Sequence, residues 1–322
     1  MSIINPSASN RIYALLLKLR PLGKGTLMPF SGELVHGAWM RWLRDTSPDV
    51  AQYIHGGGKR RLFTCSSLQF PFSQERLLHA QKENVHLPLD EQRTYTIRIT
   101  LLSGDLFPLL YAIVMNMNQR SFLPESTVIE IGKQRFALDA MISNPEDASG
   151  WTGYSSYNEL VTLAQSQHFS TSHPLTLDFA SLTTFHRLLT TDKKYGEFYA
   201  QLPLPHYVFP GLAKRWHELA PLELVSVIQK EQIKNYIAED RIIIDDYQLQ
   251  THHVHFTEYV QRGFVGTCRY VMRGPDEATT KEAPLTLRQQ LQLLSWLAFY
   301  TGVGYKPTMG MGQTRLVPSL KL

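Results

Sequence analysis

A histidine followed by glycines and cations stands in the first quarter of the chain. His55 precedes three glycines, and Lys59, Arg60 and Arg61 come next. A histidine titrates near neutral pH and can accept or donate a proton, while lysine and arginine stabilise negative charge on a phosphate. The pattern predicts an exposed loop suited to phosphate chemistry. The alternative is a solvated loop histidine beside a solvated charged face.

A glycine-rich loop near the end of the chain is the second candidate. The stretch GVGYKPTMGMG carries Gly302, Gly304, Gly310 and Gly312, with Lys306 inside it and Arg315 just beyond. Glycine allows positive φ and close approach of a ligand, and successive N–H groups can form an anion-binding nest. The loop follows a predicted helix and lacks Gly-Lys-Ser/Thr, which excludes a P-loop and a dinucleotide fingerprint. The alternative is a purely structural turn.

The elements that must position these residues occur twice along the chain. In the first half we predict strand Arg11–Arg20, helix Glu33–Leu43, strands Leu62–Phe70 and Arg93–Leu102, helix Asp105–Asn118, and a strand or hairpin at Thr127–Ile142. In the second half we predict strand Leu175–Phe185, helix Gly211–Lys230, strands Arg241–Gln250 and Thr257–Met272, helix Leu285–Tyr300 and strand Thr314–Val317.

Each half therefore has the order strand, helix, strand, strand, helix, strand. This order predicts an α+β fold of two tandem ferredoxin-like (RRM-like, βαββαβ) domains. We place the domains at residues 1–145 and 173–322, with a linker at 146–172. Because many unrelated proteins use this fold, it does not identify a function.

Composition sets broad limits on the class of protein. The 322 residues are 43% hydrophobic and 19% charged, which is typical of a soluble globular protein. A net charge of +4 permits a polyanionic partner without requiring one. Cys65 and Cys268 are too few for a disulfide framework, so a reducing cytoplasm is expected. No apolar run is long enough for a membrane span, and Ile12–Leu19 is predicted as a strand rather than a signal peptide.

Several segments resemble one known family. Ser295–Val317 (SWLAFYTGVGYKPTMGMGQTRLV) resembles the C-terminal signature of the RAMP-superfamily CRISPR-associated endoribonucleases that process precursor guide RNA. The shared features are a helix ending in an aromatic residue, Gly-x-Gly, a basic residue, and Gly-hydrophobic-Gly before a strand. Gln261–Tyr270 is similar to the family's Gly-Phe-x-Gly strand, and Pro174–Phe185 to the strand that opens its second domain. Asp49–Ser66 resembles the segment that carries the catalytic histidine in several members.

The resemblance implies two RAMP domains that bind CRISPR repeat RNA and cleave precursor crRNA without a metal ion or other cofactor. RNA supplies its own nucleophile, the 2′-OH, so the expected products carry a 2′,3′-cyclic phosphate and a 5′-OH. DNA lacks this group and should not be cleaved. The resemblance also implies a prokaryotic cytoplasmic protein, with no membrane partner, that hands its product to subunits of an effector complex.

The resemblance also assigns catalytic candidates. It places the catalytic histidine at His55 and a basic residue six positions later, at Arg61. Some members carry a tyrosine in the first helix, but here that position is Met40, which cannot help. His36 lies one turn earlier on the same helical face and could substitute for it. The alternative is a surface histidine that packs on Trp39 or on the sheet.

The remaining candidates complete the predicted site. The residues expected to contact RNA are Lys59, Arg60, Gly302, Gly304, Lys306, Gly310, Gly312 and Arg315. No metal ligand is assigned, because His253 and His255 share a strand face without a third ligand pattern nearby. The aromatic residues Trp151, Tyr154 and Tyr157 could stack bases but are expected to anchor loops.

Two other functions stay open at this stage. One is a non-catalytic RAMP subunit that binds guide RNA in an effector complex. The other is an unrelated ferredoxin-like protein with a metal or small-molecule site.

Overall fold

The computed structural model describes residues 10–46, 48, 51–52, 62–108, 111, 128–167, 174–188, 196–274 and 284–317. Internal contacts divide these residues into two units. Unit 1 contains the described residues up to Ser155, together with His253–Gln261 and Thr308–Gly310. Unit 2 contains Ser156–His252, Arg262–Pro307 and the described residues from Met311 onward. No helix within the described ranges is long and apolar enough to cross a membrane.

Unit 1 is built on a six-stranded sheet. The first eight strands of the chain are β1 (Arg11–Pro21), β2 (Gly25–Leu27), β3 (Phe63–Cys65), β4 (Leu87–Leu89), β5 (Tyr95–Leu101), β6 (Val128–Ile131), β7 (Gln134–Ile142) and β8 (Gly153–Ser156). Strands pair in the order β3-β5-β1-β7-β6, β8 also pairs with β1, and β2 pairs with β4. The helices are α1 (Gly32–Thr46) and α2 (Gln74–Lys82).

Helix α1 forms because its apolar residues recur at helical spacing. Val35, Ala38, Trp39 and Trp42 follow the i, i+3, i+4, i+7 pattern, and all four are buried. Trp39 packs near Phe63 of β3, with ring centroids 6.3 Å apart. This burial fixes the rotation of α1 on the sheet and therefore the direction of its other side chains.

Unit 2 repeats the design around a four-stranded sheet. Its strands are β9 (Leu175–Thr183), β10 (Phe185–Leu188), β11 (Glu197–Ala200), β12 (Ile242–His255), β13 (Val260–Met272) and β14 (Thr314–Val317). The sheet has the order β12-β13-β9-β14, and β10 and β11 form a separate hairpin. The helices are α3 (Tyr157–Ser166), α4 (Pro205–Leu219), α5 (Lys230–Ala238) and α6 (Leu287–Thr301), with 3-10 turns at Leu222–Val227 and Pro307–Met309.

The two units share one strand order. The four strands of each βαββαβ repeat are β1, β3, β5 and β7 in unit 1 and β9, β12, β13 and β14 in unit 2. In both sheets the second strand is followed by the third, the first and the fourth: β3-β5-β1-β7 and β12-β13-β9-β14. The predicted α+β tandem ferredoxin-like fold is confirmed. The domain limits at 145 and 173 stay a prediction. The predicted linker contains α3, which begins with a capping box between Ser156 and Glu159.

Several predicted boundaries were wrong for local reasons. The strand at 62–70 stops at Cys65, and only Gln69 forms a further bridge, to Thr96. The helix predicted from Gly211 begins at Pro205, since proline is tolerated in the first turn. The strand predicted to end at Gln250 runs on to His255. Of the helix predicted at 105–118, residues 106–108 and 111 are helical, and 109–110 and 112–118 lie outside the described residues.

Candidate functional site

His36 on helix α1 is held by the tip of the glycine-rich loop. Its Nδ1 lies 2.9 Å from the backbone carbonyl oxygen of Thr308, and both residues belong to unit 1. A carbonyl oxygen can only accept, so Nδ1 carries the proton. In the neutral ring Nε2 then holds the lone pair that can take up a proton. The ring also stacks on Phe63, with centroids 5.5 Å apart and planes 21° apart.

The structure shows how the His36 ring is packed and oriented, and its catalytic role stays a prediction. The ring packs on the sheet, as a structural histidine would, but on Phe63 and not on Trp39. The same ring is also oriented by a hydrogen bond to the loop that the sequence singles out. Met40, one turn further along α1, is buried and apolar, so it offers no chemistry at this place.

The carbonyl oxygen of Thr308 accepts a second hydrogen bond, from the thiol of Cys65. The Sγ atom lies 2.7 Å from it. Burial raises the pKa of the Cys65 thiol well above its ordinary range, because a thiolate would lose its hydration there. The thiol therefore stays protonated and remains a donor. The N–H of Gly310 donates to the carbonyl oxygen of Cys65 at 3.0 Å, so the end of β3 binds the loop tip at two points.

Two glycines permit this close approach of helix and loop. A Cβ on Gly32, the first residue of α1, would lie 2.1 Å from the carbonyl oxygen of Met309. Gly310 has φ +86°, and a Cβ there would lie 2.8 Å from Ser67 Oγ and 3.0 Å from Gly32 Cα. Any side chain at either position would push the loop tip away from α1. Glycine at positions 32 and 310 is thus a steric requirement of the close approach that brings Thr308 to His36.

The rest of the loop is anchored inside unit 2. Three backbone hydrogen bonds hold it. The N–H of Val303 donates to the carbonyl oxygen of Gly312 at 2.8 Å, that of Tyr305 to Thr184 at 2.9 Å, and that of Gly312 to Leu182 at 2.9 Å. Gly302 caps α6, its N–H donating to Ala298. These four N–H groups, like that of Gly310, are engaged within the protein. An anion nest in this loop would have to use other donors.

A partly buried arginine that the sequence analysis missed supports the base of the loop. The Arg215 guanidinium, on α4, donates to the carbonyl oxygens of Thr301, Gly302 and Gly304; the last two bonds measure 3.0 and 2.8 Å. Burial lowers the pKa of Arg215 to about 10, with Glu218 opposing the shift. The side chain therefore remains cationic at neutral pH. Nothing in the local sequence around Arg215 marks it, since its partners lie 86 to 89 residues away.

The two predicted cations of the loop region have different surroundings. Lys306 has a positive φ of 49°, and its Nζ lies 5.4 Å from the ring centroid of Tyr305. Arg315 pairs across the sheet with Asp178 at 3.0 Å, which compensates its charge. Of the two, Lys306 is the better placed to meet an anion.

Four predicted residues, His55, Lys59, Arg60 and Arg61, lie outside the described residues. Their assignment stays a prediction. The structure therefore brings His36 of the predicted site close to Thr308, which lies two residues before the predicted Gly310. It adds Cys65 and Arg215, which the sequence analysis missed.

The histidines of the β12–β13 hairpin do share a face, as predicted. The rings of His253 and His255 are 5.4 Å apart. Gln81 of α2 donates to the carbonyl oxygen of His253, and Glu33 of α1 accepts from the N–H and Oγ1 of Thr257. In the described part of the chain, no three His, Cys, Asp or Glu side chains are grouped so that they could hold a metal ion.

Two family models match this chain. The model of the CRISPR Cas6 N-terminal domain matches residues 12–162, and the model of the CRISPR-associated endoribonuclease Cas6 matches residues 177–314. No curated protein matches the sequence.

Three solved structures illustrate the likeness of fold. A product complex of Thermus thermophilus Cas6 is 20% identical, with a TM-score of 0.68, covering 96% of this chain and 100% of that one. Another Cas6 product complex is 24% identical, with a TM-score of 0.61, covering 95% and 99%. A histidine-to-alanine variant of a Cas6 is 21% identical, with a TM-score of 0.59, covering 95% and 99%.

The two family models match consecutive parts of the chain, one for each half of the repeated fold. The family that the glycine-rich segment resembles is therefore confirmed. This chain belongs to the Cas6 family of CRISPR-associated endoribonucleases, which process CRISPR repeat RNA.

Proposed function

We propose that this chain binds CRISPR repeat RNA and cleaves precursor crRNA by attack of the 2′-OH on the adjacent phosphate, without a metal ion. The products would carry a 2′,3′-cyclic phosphate and a 5′-OH. The observation that carries the proposal is the hydrogen bond from His36 Nδ1 to the carbonyl oxygen of Thr308, which aims the ring from the glycine-rich loop. The presence of a histidine variant among the matching Cas6 structures is in keeping with a working histidine in this family.

His36 has the proton arrangement that this reaction needs. With the Nδ1 proton held by Thr308, neutral His36 presents Nε2 as a base for the 2′-OH. A second proton-transfer group must give a proton to the leaving 5′-oxygen, because that oxygen lies opposite O2′ in an in-line displacement. The bond to phosphorus from O2′ forms as the bond to O5′ breaks, and one proton leaves the first oxygen as one joins the second. No other reactant is consumed in this step.

Other predicted residues would share the remaining work. His55 would act as the second proton-transfer group, and Arg61 would neutralise charge that develops on the phosphorane. Lys59, Arg60 and Lys306 would hold backbone phosphates. We further propose that the cleaved RNA passes to subunits of a CRISPR effector complex, which co-purification with a tagged chain can test.

The test uses RNA transcribed from the CRISPR repeat of the source genome. A 5′-labelled repeat is incubated with the purified chain in EDTA, and the ends of the products are identified. We expect one cut, a 2′,3′-cyclic phosphate end, and no cut when the single nucleotide before it lacks its 2′-OH.

Other outcomes would favour the competing functions. Tight binding without cleavage would favour a non-catalytic RNA-binding subunit. Cleavage that depends on added metal and ignores the 2′-deoxy substitution would reject the proposed mechanism.

A further inference from the structure

Three rings of unit 2 lie together where the β10–β11 hairpin faces the glycine-rich loop. His186 of β10 and Tyr199 of β11 are directly opposite in the strand register, with centroids 5.2 Å apart. Tyr305 of the loop lies 5.6 Å from His186 and 5.4 Å from Tyr199. We refer to these three residues as the ring cluster.

The ring cluster is held in place by hydrogen bonds of its own. The Tyr305 N–H donates to the carbonyl oxygen of Thr184 at 2.9 Å, and Thr184 is the residue just before β10. Glu197 accepts at 2.7 Å from His186 Nε2 and at 3.5 Å from the Tyr199 hydroxyl. Because the rings are already positioned, a ligand that stacks on them would lose little free energy in ordering them.

The position of the ring cluster does not match that of a hydrophobic core. His186 is exposed, and Tyr199 and Tyr305 are partly exposed, whereas the neighbouring Phe185 is buried. Lys306 Nζ lies 5.4 Å from the Tyr305 centroid, so a cation accompanies the rings. Aromatic rings on a solvent-facing surface beside a basic side chain are the arrangement that holds single-stranded nucleic acid.

We propose that His186, Tyr199 and Tyr305 form a stacking platform for an unpaired base of the repeat RNA. This inference rests on the proposed function, because it names a further contact of the same RNA. The base would stack on an exposed ring of the cluster, and its phosphate would lie near Lys306. The carboxylate of Glu197 is occupied by His186 and Tyr199, which limits its repulsion of that phosphate.

The affinity of the platform should depend on whether a base is present and only weakly on which base it is. Every base has a π face, so stacking is tolerant of sequence. It should also depend weakly on salt, since the ring–base contact releases no counterions. These two properties distinguish it from the contacts that cationic side chains make with phosphates.

The test replaces the tyrosines and measures affinity for the source genome's repeat RNA. Tyr199→Leu and Tyr305→Leu should each raise Kd about tenfold, with the slope of log Kd against log salt unchanged. Tyr199→Phe and Tyr305→Phe keep a ring and should stay near wild type. Phe198→Leu is the matched control, because Phe198 is exposed on the same strand but points to the opposite face of the hairpin.

A spectroscopic probe tests stacking directly. Repeat RNAs carrying 2-aminopurine at one unpaired position at a time are titrated with the chain. One position should be quenched by wild type and by the phenylalanine variants, and not by the leucine variants.

The outcomes separate this inference from the proposed function. If wild type binds and cleaves the repeat while the leucine variants keep its Kd and fluorescence, the platform is rejected and the proposed function stands. Equal weakening by Phe198→Leu would also reject the platform. If wild type binds no repeat RNA, the proposed function itself fails.

Discussion

His36 Nδ1 lies 2.9 Å from the carbonyl oxygen of Thr308, although 272 positions separate the two residues in the chain. The acceptor is a backbone atom, so the ring orientation depends on the path of the glycine-rich loop and not on the side chain at 308. Cys65 binds the same oxygen from the sheet. The loop thus acts as a positioning element for the histidine.

Replacement of His36 tests which of its two nitrogens matters. In His36→Asn the side-chain amide can still donate to Thr308, but no base remains at the position of Nε2. We expect single-turnover cleavage of repeat RNA to slow by about 10²- to 10⁴-fold, with Kd changed by less than about threefold. His36→Ala should be equally slow and should also loosen the loop. Near-normal cleavage by His36→Asn would remove Nε2 from the mechanism.

The two glycines of helix α1 give a matched pair of stability measurements. Gly37→Ala adds a methyl group with no atom of the described residues within 4 Å, so the better helix propensity of alanine should stabilise the chain by up to about 1 kcal/mol. Gly32→Ala adds a methyl group 2.1 Å from the carbonyl oxygen of Met309. That overlap must be relieved by moving the backbone, so the same substitution should destabilise the chain and slow cleavage. Urea unfolding compares the two, and equal effects would contradict the tight contact.

Much of the fold could be predicted because it depends on short-range patterns. The strand Arg11–Pro21 and the helix Gly32–Thr46 follow from the periodicity of their apolar residues. The same kind of pattern in the second half of the chain predicts the second copy of the element order. The glycine-rich loop could be singled out because glycine spacing is visible in the sequence. The positive φ values of its four glycines agree with that interpretation.

The supports of the candidate site could not be predicted, for a physical reason. Arg215 and Cys65 act on backbone carbonyl oxygens, which every residue has, so no partner residue type signals the contact. From the sequence, a cysteine near the end of a strand is expected to be a core residue. An arginine on a helix is expected to lie on the surface. Only the tertiary path of the loop distinguishes them.

The buried thiols predict a loss of stability in alkali. Burial raises the pKa of Cys65 and raises that of Cys268 to about 11, whereas an unfolded thiol titrates near pH 8.5. Above about pH 8.5 the unfolded chain releases protons that the folded chain keeps, so the free energy of unfolding falls as pH rises. Each thiol should contribute up to about 1.4 kcal/mol per pH unit. Below that pH the contribution is fully retained.

Serine substitutions isolate the two thiols. Cys65→Ser keeps a donor for Thr308 and removes the titration, so its unfolding free energy should decline less between about pH 8.5 and pH 10. Cys268→Ser should remove the contribution of Cys268, and the double variant should lose the least unfolding free energy over this range. Urea titrations at several pH values provide the comparison. An unchanged slope in the double variant would show that the thiols are not the cause.

Arg215 holds the base of the glycine-rich loop without being part of the proposed reaction, so its replacement tests the role of the loop. Arg215→Met leaves the carbonyl oxygens of Gly302 and Gly304 without their charged donor, and we expect a loss of at least about 2 kcal/mol in unfolding free energy. Affinity for repeat RNA should fall with it, since Tyr305 and Lys306 follow Gly304 directly. Lys214→Ala removes a neighbouring exposed charge and serves as the control, with both quantities near wild type. If the two variants weaken RNA binding equally, net charge explains the effect and the loop-anchoring role of Arg215 is wrong.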